Sequence, residues 1–169
     1  MKITVEYKGQ PIEVDISEET LKMMAEGQKK NTGWEKPEKG DYYWCIDDTG
    51  KIICCVWANS CIDKQRYIVG NCYLSNTLAC NIVRYRSIDA RIRRRIAEIC
   101  EPVDWDNEYS GKYFIYYAHN RKEFDITGYS SCHYIGWYCD TKEHARQIIE
   151  EFKDELMWYF TEFKDRMDG

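Results

Sequence analysis

Apolar and polar residues alternate twice near the start of the chain. Ile3, Val5 and Tyr7 do so first, and Ile12, Val14 and Ile16 follow after Lys8-Gly9-Gln10. A period of two on either side of a short glycine-containing turn predicts a β-hairpin. Ser17, with Glu18 and Glu19 behind it, predicts a helix start, because a hydroxyl caps the first turn and the helix dipole favours acids there. Leu21, Met24 and Ala25 continue that helix as a short stripe, and glycines at 27 and 33 end it. Residues 1–30 thus read as an N-terminal hairpin–helix unit. Residues 31–41, with Gly33, Pro37 and Gly40 and no periodicity, read as a linker.

The next unit, 42–100, opens with an aromatic strand from Tyr42 to Asp47. A turn follows at Asp48-Thr49-Gly50, and a return strand runs from Lys51 to Trp57. A short third strand is expected at Arg66-Tyr67-Ile68-Val69. Ser75 then caps a helix on which Leu78, Ile82, Tyr85, Ile88, Ile92, Ile96 and Ile99 form one stripe. Pro102 closes this helix, and residues 101–111 form an acidic loop.

Residues 112–169 repeat the plan. Lys112 to Ala118 and Glu123 to Tyr129 read as hairpin strands, and Tyr134 to Cys139 as a third strand. Asp140 or Thr141 caps a long helix with Ala145, Ile148, Ile149, Phe152, Leu156, Tyr159, Phe160, Phe163 and Met167 on one face. In both units an alanine, Ala79 or Ala145, lies four residues after the cap. The expected fold is α+β: an N-terminal hairpin with a short helix, then two similar ββ(β)α units whose antiparallel sheet is packed by two long helices.

Composition adds a surface question. Hydrophobic residues make up 44% of the chain and charged ones 31%, a globular balance, but aromatic content reaches 15%. Rings on a sheet face left wet would form a binding surface. Trp44, Trp57, Trp105, Tyr109, Trp137 and Trp158 are the candidate partner-binding rings, with Glu155 and Glu162 as acidic companions. Trp158 is expected to lie off the helix stripe, exposed. No apolar run is long enough to span a bilayer, and the first residues lack the pattern of a secretory signal, so the cytoplasm is the expected location and no membrane partner is expected. The nine cysteines are odd in number and irregularly spaced, and Cys54 and Cys55 point to opposite strand faces. Free, mostly buried thiols are expected.

Recognisable chemistry is sparse. Cys132, His133, Cys139 and His144 fall close together, but without the paired spacing by which a knuckle presents zinc ligands. There is no glycine-flanked nucleophile turn and no phosphate-cradling loop. Asp47-Asp48 and Asp104-x-Asp106 read as turn and loop residues. No catalytic, cofactor-binding or metal-binding residue is therefore expected, nor any cofactor, and the chain reads as a non-enzyme.

Charge is uneven. Arg84, Arg86, Arg91, Arg93, Arg94 and Arg95 stand in one helix with a single acid, Asp89, while residues 140–169 carry nine acids and five bases. One reading of the arginines is a solvated face pairing with the acids from Glu98 to Glu108. The other is nucleic-acid binding through Arg84, Arg91, Arg94 and Arg95, which the overall charge of −5 disfavours. If the two long helices pack side by side, their opposite charges neutralise each other. A small-nucleotide-binding protein or enzyme with a pocket between the units is a third reading.

Several segments carry a resemblance: Thr32-Gly33-Trp34-Glu35-Lys36-Pro37, Gly40-Asp41-Tyr42-Tyr43-Trp44-Cys45-Ile46, Ile62-Asp63-Lys64-Gln65-Arg66-Tyr67, Gly70-Asn71-Cys72-Tyr73-Leu74-Ser75 and Ala79. Val103-Asp104-Trp105 and Lys112-Tyr113-Phe114-Ile115-Tyr116-Tyr117 continue it. Together they resemble small accessory proteins of phages and prophages of Firmicutes, which share a GD-Y-Y-x-I strand, a D-x-x-R-Y segment and a GN-x-F-x-T-x-x-x-A junction. Here Ser75-Asn76-Thr77-Leu78 departs from the usual cap followed by acids. The family pattern carries no catalytic residues. The resemblance implies a mobile-element protein in the bacterial cytoplasm. With the acidic, aromatic surface, it suggests an anti-CRISPR-like inhibitor that binds a bacterial defence protein, such as a CRISPR effector. Homo-oligomerisation is left open.

Overall fold

The computed structural model describes residues 2–7, 10–15, 17–18, 31–128 and 136–168. The fold is α+β, and the chain divides into two compact units, residues 1–32 and 33–167. In the first, β1 (Lys2–Tyr7) and β2 (Gln10–Asp15) pair antiparallel, with Ile3 opposite Val14 and Val5 opposite Ile12. The helix expected after Ser17 lies outside the described residues, apart from Glu18.

The second unit begins with the hairpin β3 (Tyr42–Ile46) and β4 (Ile52–Val56), in which Tyr43 faces Cys55 and Trp44 faces Cys54. Gly50, at a φ of +84°, makes its turn in a conformation that favours glycine. Both faces of this hairpin carry packed residues, while Tyr42, Cys54 and Val56 stay exposed. Tyr43 and Cys45 pack with Trp57 and Cys72 on one side. On the other, Trp44, Ile46 and Ile52 pack on Leu78, Ala79 and Ile82.

One expectation is overturned here. Arg66–Val69 is not a strand. Residues Cys61–Ile68 form a helix, α1, opened by a reciprocal capping box between Ser60 and Asp63. The β-branched residues Ile68 and Val69 suggested a strand, but the cap three residues before Asp63 prevails locally. The third segment comes later. Tyr73 bridges Trp44, each backbone N–H donating to the other's carbonyl, at 2.8 and 2.9 Å. Asn71 extends this ladder with its side chain. Its Oδ1 accepts from the Ile46 N–H at 2.8 Å, and its Nδ2 donates to the Ile46 carbonyl at 2.7 Å.

Ser75 then caps α2 (Asn76–Ile99), accepting from the Leu78 N–H. Its stripe buries Leu78, Ile82, Ile88 and Ile92. After the loop come β5 (Tyr113–Ala118), β6 (Glu123–Gly128) and β7 (Tyr138–Cys139), ordered β6-β5-β7. The third strand expected over 134–139 is described only at its end, residues 134 and 135 lying outside the described set. Thr141 caps α3 (Lys142–Glu151), accepting from the His144 N–H. The expected long final helix is interrupted at Phe152, whose ψ of 24° departs from the helical value, and resumes as α4 (Lys153–Thr161).

The two halves are built alike in one detail. In each, the third segment pairs with the first hairpin strand, through Tyr73 on Trp44 and Tyr138 on Phe114, two or three residues before a hydroxyl cap. The capped helices each bury an alanine completely, Ala79 and Ala145.

Candidate functional site

Five of the six arginines of α2 are engaged within the protein. The Arg84 guanidinium carbon lies 4.0 Å from the Trp158 ring centre. Arg86 donates to the Tyr73 hydroxyl at 3.3 Å, and Arg93 shares its Nε–H between the two Asp89 oxygens at 2.9 and 3.0 Å. Arg91 reaches Glu155 at 2.8 Å, with Phe152 beneath it. Arg95 grips Glu151 through two nitrogens at 2.7 and 2.8 Å and also bonds Glu98 at 3.1 Å. Hydrogen bonds from Arg95 hold the Glu151 carboxyl down at about 2. Acids of α4 and α3 thus neutralise Arg91 and Arg95, and Asp89 of the same helix neutralises Arg93. Of the acids from Glu98 to Glu108, only Glu98 forms a salt bridge with these arginines among the described residues. Arg94 alone of the six makes no ion pair, hydrogen bond or ring contact among the described residues.

Half of the six candidate rings are inside. Trp57, Trp137 and Trp158 are buried, correcting the expectation that they face a partner. Trp57 is clamped edge-on by Tyr43 and Tyr67, and Trp137 donates its Nε1–H to Asp89 at 3.0 Å. A single uninterrupted helix would place Trp158 off the apolar stripe and exposed. The break at Phe152 restarts the helical phase, and Arg84 and Phe163 cover the ring. Trp44 is half-buried against α2. Glu155 is occupied by Arg91, while Glu162 is exposed. Trp105 packs edge-on against Tyr138, and Tyr109 is 89% exposed. Lys112 is buried beneath that loop, its Nζ donating to the Asn107 and Ser110 carbonyls at 2.6 and 3.2 Å.

Four of the exposed large hydrophobics cluster elsewhere, on α1 and its C-cap: Ile62, Tyr67, Ile68 and Val69. At about 100° per residue, Cys61, Ile62, Gln65, Ile68 and Val69 share one face of this helix, and all five are exposed. Ile62, Ile68 and Val69 are 60, 71 and 66% exposed. The inward face is polar. Asp63 is buried and accepts from the Tyr43 hydroxyl at 2.8 Å, from the Ser60 hydroxyl at 2.8 Å and from the backbone N–H groups of Ala58 and Ser60 at 3.0 and 2.9 Å. Arg66 donates to the Tyr43 hydroxyl at 3.0 Å and to Cys55 Sγ at 3.3 Å. Burial would raise the Asp63 carboxyl, but these hydrogen bonds outweigh it and hold it at about 2. Burial raises the Tyr43 phenol in turn. Helix α1 is thus inverted, apolar outside and hydrogen-bonded inside. The polar residues that carried the resemblance, Asp63, Arg66 and Asn71, are the anchors that hold this arrangement to β3.

Thiol placement also differs from expectation. Cys45, Cys72 and Cys139 are buried, but Cys54, Cys61 and Cys80 are exposed and Cys55 and Cys100 lie between. Cys54 and Cys55 do take opposite faces. Among the described residues one mixed cluster could hold a metal ion, Cys100, Asp140 and His144. Cys132 and His133 lie outside the described residues. Cys100 and Asp140 were not legible as partners, since 40 positions separate them. No helix of the described residues is long and apolar enough to cross a membrane. Comparison with known protein families, curated proteins and solved structures finds no match for this chain.

Proposed function

We propose that this chain is a protein-binding module, not an enzyme, and that it acts as a mobile-element inhibitor of a bacterial defence system in the anti-CRISPR manner. The observation that carries the binding reading is the inverted helix α1. Three large aliphatic side chains face water on it, while Asp63 and Arg66 turn inward and hydrogen-bond to Tyr43. Water-facing aliphatics on a helix whose inward attachment is polar favour a partner that removes them from water. The phage-type sequence pattern supplies the biological setting, and the acidic loop with exposed Tyr109 suits a basic partner surface. Five of the six arginines of α2 are engaged on an acid, a hydroxyl or a ring, which gives the nucleic-acid reading little to work with.

The test pairs capture with infection. Wild-type protein is expected to retain a defence-system component from host lysate and to restore phage plating on a host carrying that system. The double variant Ile62→Glu, Val69→Glu is expected to lose both while staying folded. Retention of no defence component, together with no gain in plating, would refute the inhibitor reading.

A further inference from the structure

Donors of three chemistries converge where α2 ends. Cys100 is the C-cap of α2, and Asp140 and His144 stand one turn apart around the Thr141 cap of α3. One ligand atom from each, the Cys100 sulfur, an Asp140 oxygen and a His144 ring nitrogen, lies within 4.8 Å of the others. Asp140 organises the group. Its Oδ1 is 2.6 Å from His144 Nδ1, and its Oδ2 accepts from the Glu101 N–H at 3.1 Å. The Cys100 sulfur is hydrogen-bonded to Asp140 and to Cys139 behind it. All three residues are half-buried. They stand beside a groove of about 720 Å³ that includes Cys100, Glu101, Val103, Trp105 and Tyr138 among its walls.

We propose that this cluster binds a divalent transition ion of the zinc class, held by Cys100 Sγ, an Asp140 oxygen and a His144 nitrogen, with a fourth position open to solvent. The donor set is the mixed S, N and O chemistry that such ions take, and three protein ligands leave one position free. A tetrahedral ion spaces its ligand atoms roughly 3.3–3.8 Å apart. Side-chain rotations of about an ångström therefore close the site, and half-buried side chains can make them. The fold already fixes the backbone. Gly111 lets its chain pass so close to α3 that a Cβ there would stand 2.1 Å from the Asp140 carbonyl oxygen. Thr141 fixes the first turn on which His144 sits. On binding, the ion replaces the proton of the Cys100 thiol, which leaves to solvent, and the sulfur binds as thiolate.

The same three residue types also build nucleophilic triads. That role needs a thiol paired with the imidazole and favoured as thiolate by positive surroundings. Here the Cys100 sulfur is bonded to a carboxylate and a second thiol, a setting that a cation completes.

Cobalt(II) distinguishes these. Full-length protein titrated with Co(II) is expected to bind one equivalent, with a thiolate-to-cobalt charge-transfer band and strong tetrahedral ligand-field absorption. Cys100→Ser is expected to remove the charge-transfer band, and His144→Ala to weaken binding at least about tenfold. Cys80→Ser, an exposed thiol on α2 outside the cluster, is expected to leave the spectrum unchanged. Circular dichroism checks the fold of each variant, and Asp140→Asn supplies a near-isosteric second variant. Absence of the ligand-field band, or equal binding by wild type, Cys100→Ser and His144→Ala, overturns the proposal. So does alkylation of Cys100 that depends on His144 and is indifferent to added metal, which would mark a nucleophile pair.

Discussion

The guanidinium carbon of Arg84 stands 4.0 Å from the centre of the Trp158 ring. Each residue was a candidate for binding something outside the protein, the arginine a phosphate and the tryptophan a protein. Instead each covers the other, across the contact between α2 and α4. A ring of that size gains from burial, and a cation over its face gains from the ring quadrupole without being taken far out of water.

Trp158→Ala is accordingly expected to destabilise the protein by about 3–5 kcal/mol, the cost of emptying a large aromatic site. Arg84→Ala is expected to cost only about 0.5–1 kcal/mol, as for an exposed cation–π contact. Urea denaturation of both variants checks the ranking. An arginine loss as large as the tryptophan loss would mean that Arg84 is a core element in its own right.

Freed arginines should behave differently from paired ones. Glu151→Gln with Glu155→Gln removes the carboxylates that hold Arg95 and Arg91. The double variant is expected to acquire salt-sensitive binding to duplex DNA that the wild type lacks, read by fluorescence anisotropy at low and moderate salt. Strong wild-type binding at low salt would show that Arg94 and its neighbours suffice as they stand.

Asp63 makes α1 sensitive to acid. Its carboxyl is held at about 2 against an ordinary 3.8. A depressed folded value stabilises the fold fully above the ordinary value, and that contribution disappears as pH falls from about 4 to about 2. Asp63→Asn is expected to lose about 1.5–3 kcal/mol at neutral pH, the range for hydrogen bonds to a charged group. It should also flatten the stability profile between pH 4 and 2 relative to wild type. Denaturation midpoints across that range test both statements.

Gly111→Ala places a methyl 2.1 Å from the Asp140 carbonyl oxygen, a backbone atom that cannot swing aside. The variant is expected to be less stable by roughly 1–3 kcal/mol, as for other overpacked positions. Gly50→Ala meets no atom within 4 Å, though its positive φ strains an alanine. It is expected to lose less, and thermal melts of the pair compare them.

The outward face of α1 should be silent in stability. Ile62→Glu and Val69→Glu are expected to shift unfolding by no more than about 0.5 kcal/mol each, because neither side chain packs within the core. Partner capture is where their effect should appear. A large stability loss would reassign this face to the fold.

Long-period patterns were the legible part of this sequence. The stripe from Leu78 to Ile99 and the caps Ser75 and Thr141 lie where spacing and hydroxyl chemistry put them. What failed was local and short. Arg66–Val69 is too brief for periodicity to separate strand from helix, and the deciding signal was the Ser60–Asp63 capping box. Trp158 falls on the wrong side of a continuous helix because the backbone breaks the helical phase at Phe152. Cys100 with Asp140 and His144 was invisible for a different reason. Proximity across 40 positions comes from α2 and α3 packing together, and no local pattern encodes it.

The attachment of α1 by hydrogen bonds has a consequence for motion. Apolar packing loses its grip gradually as surfaces part, but the Asp63–Tyr43–Arg66 group loses most of its energy once water reaches it. The helix should therefore open as a single cooperative piece, ahead of α2, whose buried stripe holds to global unfolding. Amides of residues 64–69 are then expected to exchange with solvent sooner than those of 82–92, and to slow when the outer face is covered. The surface offered to a partner is also the element that can yield first.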